Sequence, residues 1–443
     1  MSSSQYPLRQ SGIYRNLPSF DPSIKGLNAL VLGATGISGF HTIRALLDTP
    51  ERWSKVYAVS RSGLSKKMLS LLTEEQQSRI HHVSIDMNSS AEDIAKSLRE
   101  AGIAADYVFY YAYLSPKSGK SAMDPSSAED LVEANVPPFK NFLGALSIAS
   151  IKPKRILLQT GGKNYGVHIG RVRTSIVESD PQPRHLGPNF YYPQEDALRA
   201  FCDEHPETDW NIVRPFAIIG ATQHASMNTF FSFGVYAAIQ AHKGEPLRFG
   251  ADFESWQFEA SHSTARMTGY LSEWAILEEK CANQAFNAMD GGVLSWNRFF
   301  HELARWYGVS EVKGPELDES KLQTKTLAGG KDSPLGYGPP MRLRNSFVLA
   351  QWAADPSRKE AWKEIMAKTG GQLTENPWDG DLKDFFMGDF AYLPFGTVSM
   401  NKARRYGFSG FVDTLESVFE MFQEMEKLGT LPPMKVNAAQ PQV

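Results

Sequence analysis

Hydrophobic and polar positions in the first half of the chain follow two rhythms. Short apolar runs of about five residues, closed by glycine, serine or aspartate, predict buried strands. They fall at Asn28–Leu32, Val56–Ser60, Ile80–Ile85, Tyr107–Tyr111, Arg155–Gln159 and Asn211–Pro215. Between them, apolar residues recur at helical spacing, as Phe40, Ile43 and Leu47 do within Gly39–Leu47, and in Ala91–Ala101 and Ala128–Ala149. This alternation predicts an α/β fold, a doubly wound parallel Rossmann sheet. Beyond Phe216 the alternation loosens and aromatics thicken, which predicts a mixed, mainly helical substrate-binding lobe from the C-terminal half. The expected organisation is an N-terminal arm (1–26), a Rossmann core (27–215), the lobe with the remaining core elements (216–431) and a flexible tail (432–443). Gly329–Pro340, rich in glycine and proline, predicts a surface loop.

The sharpest local motif follows the first strand: Gly33-Ala34-Thr35-Gly36-Ile37-Ser38-Gly39. A strand before it and a helix after it give such a loop its meaning in dinucleotide binding. The first glycine permits the tight turn, the second lets backbone approach a pyrophosphate, and the third lets helix and strand pack closely. The phosphates then face the free N–H groups and the positive end of the helix. The second strand ends Val59-Ser60-Arg61-Ser62, without the carboxylate that accepts from the 2′-hydroxyl of NAD. Arg61 instead offers a planar donor array suited to the 2′-phosphate of NADP, with serine hydroxyls beside it. NADP(H) is therefore the expected cofactor. Asp86, at the end of the third strand, is placed either to face the adenine or to cap the next helix.

Composition narrows the class. The 443 residues are 42% hydrophobic and 21% charged, which excludes a mostly disordered chain. A net charge of −3 gives no bulk electrostatic reason to bind nucleic acid or an anionic membrane. Two cysteines, Cys202 and Cys281, exclude a disulfide scaffold and a cysteine-rich zinc site. The apolar stretch Phe230–Ala241 has 12 residues, against the roughly 20 of a spanning helix. The N-terminal segment lacks the continuous apolar run of a secretory signal. A cytoplasmic protein with a small-molecule partner, without nucleic acid or membrane, is expected, and a homodimer is compatible with the sequence. His81, His82, His168, His185, His224 and His262 show no metal-ligand spacing, so no metal is expected. Phe230, Phe231, Tyr236 and Trp256 are expected in the core or a pocket wall.

Reduction needs a group that stabilises charge on the acceptor oxygen. The common short-chain arrangement, a tyrosine with a lysine four residues later, fails: Glu195 and Asp196 follow Tyr191 and Tyr192 at that spacing. The candidate lysine lies upstream, in Gln159-Thr160-Gly161-Gly162-Lys163-Asn164-Tyr165. With that lysine, the block Asn189-Phe190-Tyr191-Tyr192-Pro193-Gln194-Glu195-Asp196 resembles the progesterone 5β-reductase/iridoid synthase-like enzymes, atypical members of the short-chain dehydrogenase/reductase superfamily of the extended type. The resemblance covers most of the chain, through the glycine loop, Glu133-Ala134-Asn135, Arg214-Pro215, Ser226-Met227-Asn228, Ala285-Phe286-Asn287 and Ser399-Met400-Asn401-Lys402. It implies NADPH-dependent 1,4-reduction of a carbonyl-activated C=C bond in a small hydrophobic metabolite. The catalytic tyrosine then falls on Tyr191 and the lysine on Lys163. A tyrosine hydroxyl at the carbonyl stabilises the enolate as it forms, and a nearby ammonium favours its acidity. Tyr192, Glu195 and Asp196 read as structural, the two carboxylates as partners of N–H groups at a helix start.

Motif and resemblance together imply a cofactor lining of Gly33, Thr35, Gly36, Ile37, Gly39, Ser60, Arg61, Ser62, Asp86, Met87, Tyr111, Ala112, Gln159, Thr160, Lys163, Tyr191 and Pro215. Departures from the family cluster around the expected substrate. Phe216 replaces a glycine close to the expected nicotinamide. Ile169 and Gly396 stand where plant enzymes carry pocket phenylalanines, the latter beside Phe395, and predict a roomier pocket, part of which Phe216 takes back. Tyr113 replaces a tryptophan, and the region 317–384 is longer than in the plant enzymes. Two other readings keep the fold: a carbonyl reductase or reductive isomerase/cyclase, and a non-catalytic NADP-sensing regulator. Keeping both Tyr191 and Lys163 argues against the sensor.

Overall fold

The computed structural model describes residues 6–116, 118, 125–223, 228–394 and 396–439. Of the residues singled out above, His224, Ser226, Met227 and Phe395 lie outside the described residues.

The alternation in the first half builds β1 (Leu27–Leu32), α1 (Ile37–Leu47), β2 (Trp53–Ser60), β3 (Ile80–Ser84), α2 (Ala91–Glu100), β4 (Tyr107–Tyr110), α3 (Ala128–Ile148), β5 (Arg155–Gln159), α4 (Tyr191–Glu204) and β6 (Asp209–Pro215). A seventh strand, β7 (Gln284–Ala288), comes from the C-terminal half. The strands form one sheet in the order β7-β6-β5-β4-β1-β2-β3, parallel at every pairing. The order reverses about β1, so the loops after β1 and β4 diverge and open a crevice at the carboxyl edge of the sheet. Leu30, Val31, Leu32, Val108, Phe109, Ile156, Leu157 and Leu158 are fully buried between helical layers on both faces, which is why these strands read as unbroken apolar runs.

The C-terminal half contributes α5 (Phe231–Lys243), α6 (Ala265–Leu277), α7 (Trp296–Tyr307), a hairpin of β8 (Gln323–Thr326) and β9 (Arg342–Asn345), α8 (Pro356–Lys368) and α9 (Thr414–Leu428). Helix α6 returns to the sheet and crosses α1 at Gly269, where a Cβ would stand 3.0 Å from the Thr42 Cα. The apolar stretch from Phe230 becomes α5, buried from Phe231 through Gln240. Phe230, Phe231, Tyr236 and Trp256 are all buried core residues. No helix among the described residues is long and apolar enough to cross a membrane.

The glycine- and proline-rich loop joins β8 to β9, and it is only partly surface. Ala328 N–H donates to the Ile169 carbonyl at 3.0 Å and Leu335 N–H to that of Arg171 at 2.8 Å, which fastens the hairpin to the loop after β5. The arm at the N-terminus includes a hairpin, Arg9–Ser11 with Tyr14–Leu17, that buries Tyr14 and Leu17. At the other end, the Lys435 N–H donates to the Trp306 carbonyl at 2.7 Å, and Ala439 is buried.

Candidate active site

The crevice at the switch point is a cleft of about 460 Å³. Its lining includes Gly33, Thr35, Gly36, Ile37, Gly39, Ser60, Arg61, Asp86, Met87, Tyr111, Ala112, Gln159, Thr160 and Tyr191, all expected from the sequence. Ser62, Lys163 and Pro215 do not line it. Ser62 turns its carbonyl back to accept from the Ser60 hydroxyl at 2.6 Å. The lining also takes in Ser38, Val59, Ile85, Tyr113, Leu114, Phe190, Gln194 and Ile218, which the sequence reading missed. Ser38 and Ile218 flank named motifs, and Gln194 lies within the tyrosine block.

The glycines divide the work as their order suggests. Gly33 has φ +78°, and a Cβ there would stand 2.8 Å from Ala112 N; one at Gly39 would collide with the Gly33 carbonyl. Packing alone demands both glycines. At Gly36 the nearest atom to an added Cβ is the Gly33 oxygen at 3.4 Å, so the missing side chain leaves open cleft. Helix α1 begins there with no side-chain cap and no acidic residue in its first turn. Its first N–H groups are thus available to an anion. The buried Gln159 Oε1 and Thr160 Oγ1 have no partner among the described residues. These features fit a dinucleotide. Arg61 is exposed and forms no ion pair among the described residues. Asp86 folds its carboxylate onto Asn88 N–H at 3.0 Å, while Ser90 caps α2. The capping alternative for Asp86 is thereby excluded.

Tyr191 opens α4 at the inner end of the cleft. Its hydroxyl lies over Gly161, where a Cβ would stand 3.2 Å from it. Burial pushes the phenol up to about 12, so it is a neutral donor. Tyr192 points elsewhere: its hydroxyl donates to the Asn164 carbonyl at 3.3 Å and its ring lies under Arg184. Lys163 sits in the turn Gly162–Tyr165 directly after β5. It lines a second cavity of about 460 Å³ with His168, Ile169, Leu186, Asn189 and residues of the β8–β9 hairpin. Phe190 lines both spaces and packs against Tyr191, ring centroids 4.4 Å apart and planes tilted by 57°, making it the partition between them. Burial lowers the Lys163 pKa. Burial and the Lys163 charge bring His168 down to about 4, so its imidazole is neutral. Asn189 ties the two candidate catalytic segments together: its amide donates to the Lys163 carbonyl at 2.8 Å, and its oxygen accepts from Tyr191 N–H at 3.0 Å.

Glu195 and Asp196 are structural, but not through N–H groups at a helix start. Glu195 is fully buried and pairs with Arg214 at 3.0 Å and Arg199 at 3.0 Å; Asp196 pairs with Arg184 at 2.7 Å. Arg214 also donates to the Tyr165 hydroxyl at 3.1 Å, which donates to Asn287 at 2.6 Å. Asn287 in turn donates to the Ser399 carbonyl at 3.2 Å. The scattered family motifs thus converge on one buried polar network behind Tyr191. Phe216 lines neither cavity, contrary to expectation. It is buried against Tyr165 and fills the space over Gly162, where a Cβ would stand 2.5 Å from its ring. Ile169 does line the second cavity, whereas Gly396 does not and abuts Thr174. No cluster of metal-ligating side chains occurs among the described residues.

A doubly wound sheet with a glycine loop at its switch point, a tyrosine at the cleft and a C-terminal lobe defines an extended short-chain dehydrogenase/reductase. Residues 29–325 match the PRISE-like Rossmann-fold domain, and the chain belongs to that family. It is 27% identical to the short chain dehydrogenase gsfE of Penicillium aethiopicum, over 91% of this chain and 99% of that one. It is 28% identical to an (S)-8-oxocitronellyl enol synthase of Nepeta racemosa and 26% identical to the 3-oxo-Delta(4,5)-steroid 5-beta-reductase of Arabidopsis thaliana, each over 91% of this chain and 93% of the other. Its fold resembles that of WbmG of Bordetella bronchiseptica, solved with NAD and UDP, with TM-score 0.53, 13% identity, and 93% of this chain and 98% of that one covered. The chain is an oxidoreductase of the short-chain dehydrogenase/reductase superfamily.

Proposed function

We propose that the protein is an NADPH-dependent reductase of a carbonyl-activated C=C bond in a small hydrophobic metabolite. The observation that carries this reading is the place of Tyr191, at the cofactor cleft and next to the Phe190 partition, with a neutral phenol directed over Gly161. When bound, NADPH would supply a hydride to the β-carbon of the enone. The pair of electrons from the C=C bond moves onto the carbonyl oxygen, and the Tyr191 hydroxyl donates to that oxygen as its charge develops. A proton from solvent then reaches the α-carbon to complete the saturated ketone or aldehyde. Lys163 lies on the substrate side, where a positive charge favours the same enolate. Asn189 holds the two segments in register. The small apolar walls, Ile169, Leu186 and Phe190, exclude water and suit a hydrophobic body. Relatives named for enol synthesis and for steroid 5β-reduction support C=C over C=O chemistry. For the cofactor, Arg61 and the absence of a carboxylate at the end of β2 favour the 2′-phosphate.

Product analysis with NADPH deuterated at the transferring position tests the reaction. Deuterium on the former β-carbon is expected; deuterium on a carbinol carbon would replace this reading with carbonyl reduction. Tight cofactor binding with no turnover across enones and ketones would favour the sensor.

A further inference from the structure

A third cavity, of about 620 Å³, opens where α5 meets the start of α8 and the segment 346–352. It shares no lining residue with the cofactor cleft or the second cavity. Two cations stand side by side on its wall. Leu247–Arg248 and Val312–Lys313 form a two-stranded parallel ladder in which Arg248 is aligned with Lys313, and both line the cavity. Aligned residues on neighbouring strands share a face, and like charges so placed repel. The backbone holds them there. Arg248 N–H donates to the Tyr236 hydroxyl at 2.9 Å, and that hydroxyl donates to the Arg248 carbonyl at 3.2 Å. On the next rung, Phe249 N–H donates to the Lys313 carbonyl at 2.9 Å. An anion bound between the two side chains relieves the repulsion that this register imposes.

The chain supplies little of that compensation. Arg248 forms no ion pair among the described residues. Lys313 meets Glu311 at 3.9 Å, with side chains 52% and 59% exposed, a pair worth little in water. Arg358, on α8, is a third cation of the lining. Among the described residues the lining has one carboxylate, Glu245, and it is committed to Arg358 at 2.7 Å and approaches Lys243 at 3.8 Å. Arg358 also meets Asp355 at 3.8 Å, outside the lining. The remaining wall is aromatic: Trp352 meets Tyr236 edge-on at 4.7 Å, Phe347 leans on Tyr236 at 6.4 Å, and the Arg358 guanidinium lies over Trp352 at 5.3 Å. Three polar atoms of these residues, Gln240 Oε1, Trp352 Nε1 and Arg358 Nε, are buried with no hydrogen-bond partner among the described residues. Buried polar groups are ordinarily paired. Two of the three are donors, the same bias as the charges.

We infer that this third cavity is a binding site for a small aromatic carboxylate, with the anionic group held between Arg248 and Lys313 and the ring laid against Trp352 and Phe347. A guanidinium offers a carboxylate two parallel N–H groups, and the ammonium beside it adds a charge-assisted donor. A flat unsaturated ring suits walls of Trp and Phe, and the volume admits a bicyclic body. The site uses no residue of the cofactor cleft or of the catalytic segments, so it goes beyond the reductase reading and does not depend on it.

Calorimetric titration of the full chain, saturated with NADP⁺ so that the cofactor cleft is filled, tests this with 2-naphthoate and with the neutral 2-naphthalenemethanol, which share the ring and differ in the anion. The wild type is expected to bind the acid about tenfold more tightly or better, as charge-assisted contacts allow. Arg248→Met and Lys313→Met should each remove most of that preference. Arg248→Lys, which keeps the charge and loses the planar fork, should retain part of it. Both side chains are exposed, so the fold should tolerate these changes, and a urea midpoint near wild type checks that it does. Equal affinity for acid and alcohol, no binding of either, or a preference that either methionine variant retains in full overturns the inference. None of these outcomes involves turnover, so the reductase reading stands or falls on its own experiment.

Discussion

Two adjacent tyrosines show how one position separates a hydroxyl turned to the cleft from one committed to the fold. At the start of a helix, neighbouring side chains diverge by about a quarter turn. Tyr191 therefore reaches the cleft over Gly161, while Tyr192 is committed to the Asn164 carbonyl and the Arg184 guanidinium. Arg61 shows the converse: its carbonyl accepts from the Ser84 hydroxyl at 2.9 Å, but its side chain has no such commitment among the described residues. Its exposed guanidinium borders the cleft without an ion pair among the described residues. Arg61→Ala is expected to weaken NADPH binding by about 2 kcal/mol, roughly 30-fold, the scale of a hydrogen bond to a charged group. NADH binding should change little. Fluorescence titration of both cofactors checks this, and an equal loss for both would give Arg61 a merely structural role.

At the scale of elements, the loop after β5 and the start of α4 act as one unit through Asn189. Asn189→Ala removes both links. It is expected to cost about 1 kcal/mol of stability, as loss of a helix-start acceptor does, and to lower kcat about tenfold or more by misplacing Tyr191 relative to the substrate. Asn189→Asp keeps the acceptor for Tyr191 N–H but loses the donor to the Lys163 carbonyl. It should recover the urea midpoint without recovering kcat. The strands and helices of the first half were legible because each is buried on a period its sequence repeats. Strand β7 was not, since Asn287 interrupts its apolar run for the sake of the network with Tyr165 and Ser399. The same network explains the misreading of Glu195. Its partner Arg214 lies on another strand, and only the folded sheet brings them together. Phe216 looked like a pocket residue from its place beside the expected nicotinamide. Its ring instead occupies the space that Gly162, on a different segment, leaves vacant.

For the whole molecule, the long region 317–384 gave no clear pattern because much of its order is tertiary. The hairpin has exposed residues throughout β8, and its position is fixed by hydrogen bonds to the 169–171 backbone. A buried carboxylate joins the lobe more tightly. Asp290, just after β7, accepts from Thr264 N–H at 2.5 Å before α6 and from the Thr414 hydroxyl at 3.1 Å at the start of α9. Burial raises its pKa from 3.8 to about 7. Between those values the folded protein keeps a proton that the unfolded chain has released. The stabilising contribution is therefore complete below about pH 3.8 and is lost as pH rises through 7. Asp290→Asn removes the titration and can still accept from Thr264 and donate to Thr414. Its stability relative to wild type should rise by about 2 kcal/mol between pH 5 and pH 8. Urea denaturation of both proteins at the two pH values checks the difference. A constant offset would mean that Asp290 is ionised in the fold throughout.

In the proposed mechanism the Tyr191 hydroxyl stabilises an enolate forming beside the cofactor cleft. The most direct measurement of this role is the single-turnover rate of NADPH oxidation by Tyr191→Phe, with an enone that the wild type reduces and with cofactor saturating. Removing one oxyanion donor should slow that step by roughly 10²–10³, with NADPH affinity and the urea midpoint close to wild type. Tyr192→Phe, measured beside it, should keep a rate near wild type. A Tyr191→Phe enzyme that binds NADPH normally and reduces the enone at the wild-type rate would contradict an oxyanion-donor role for Tyr191.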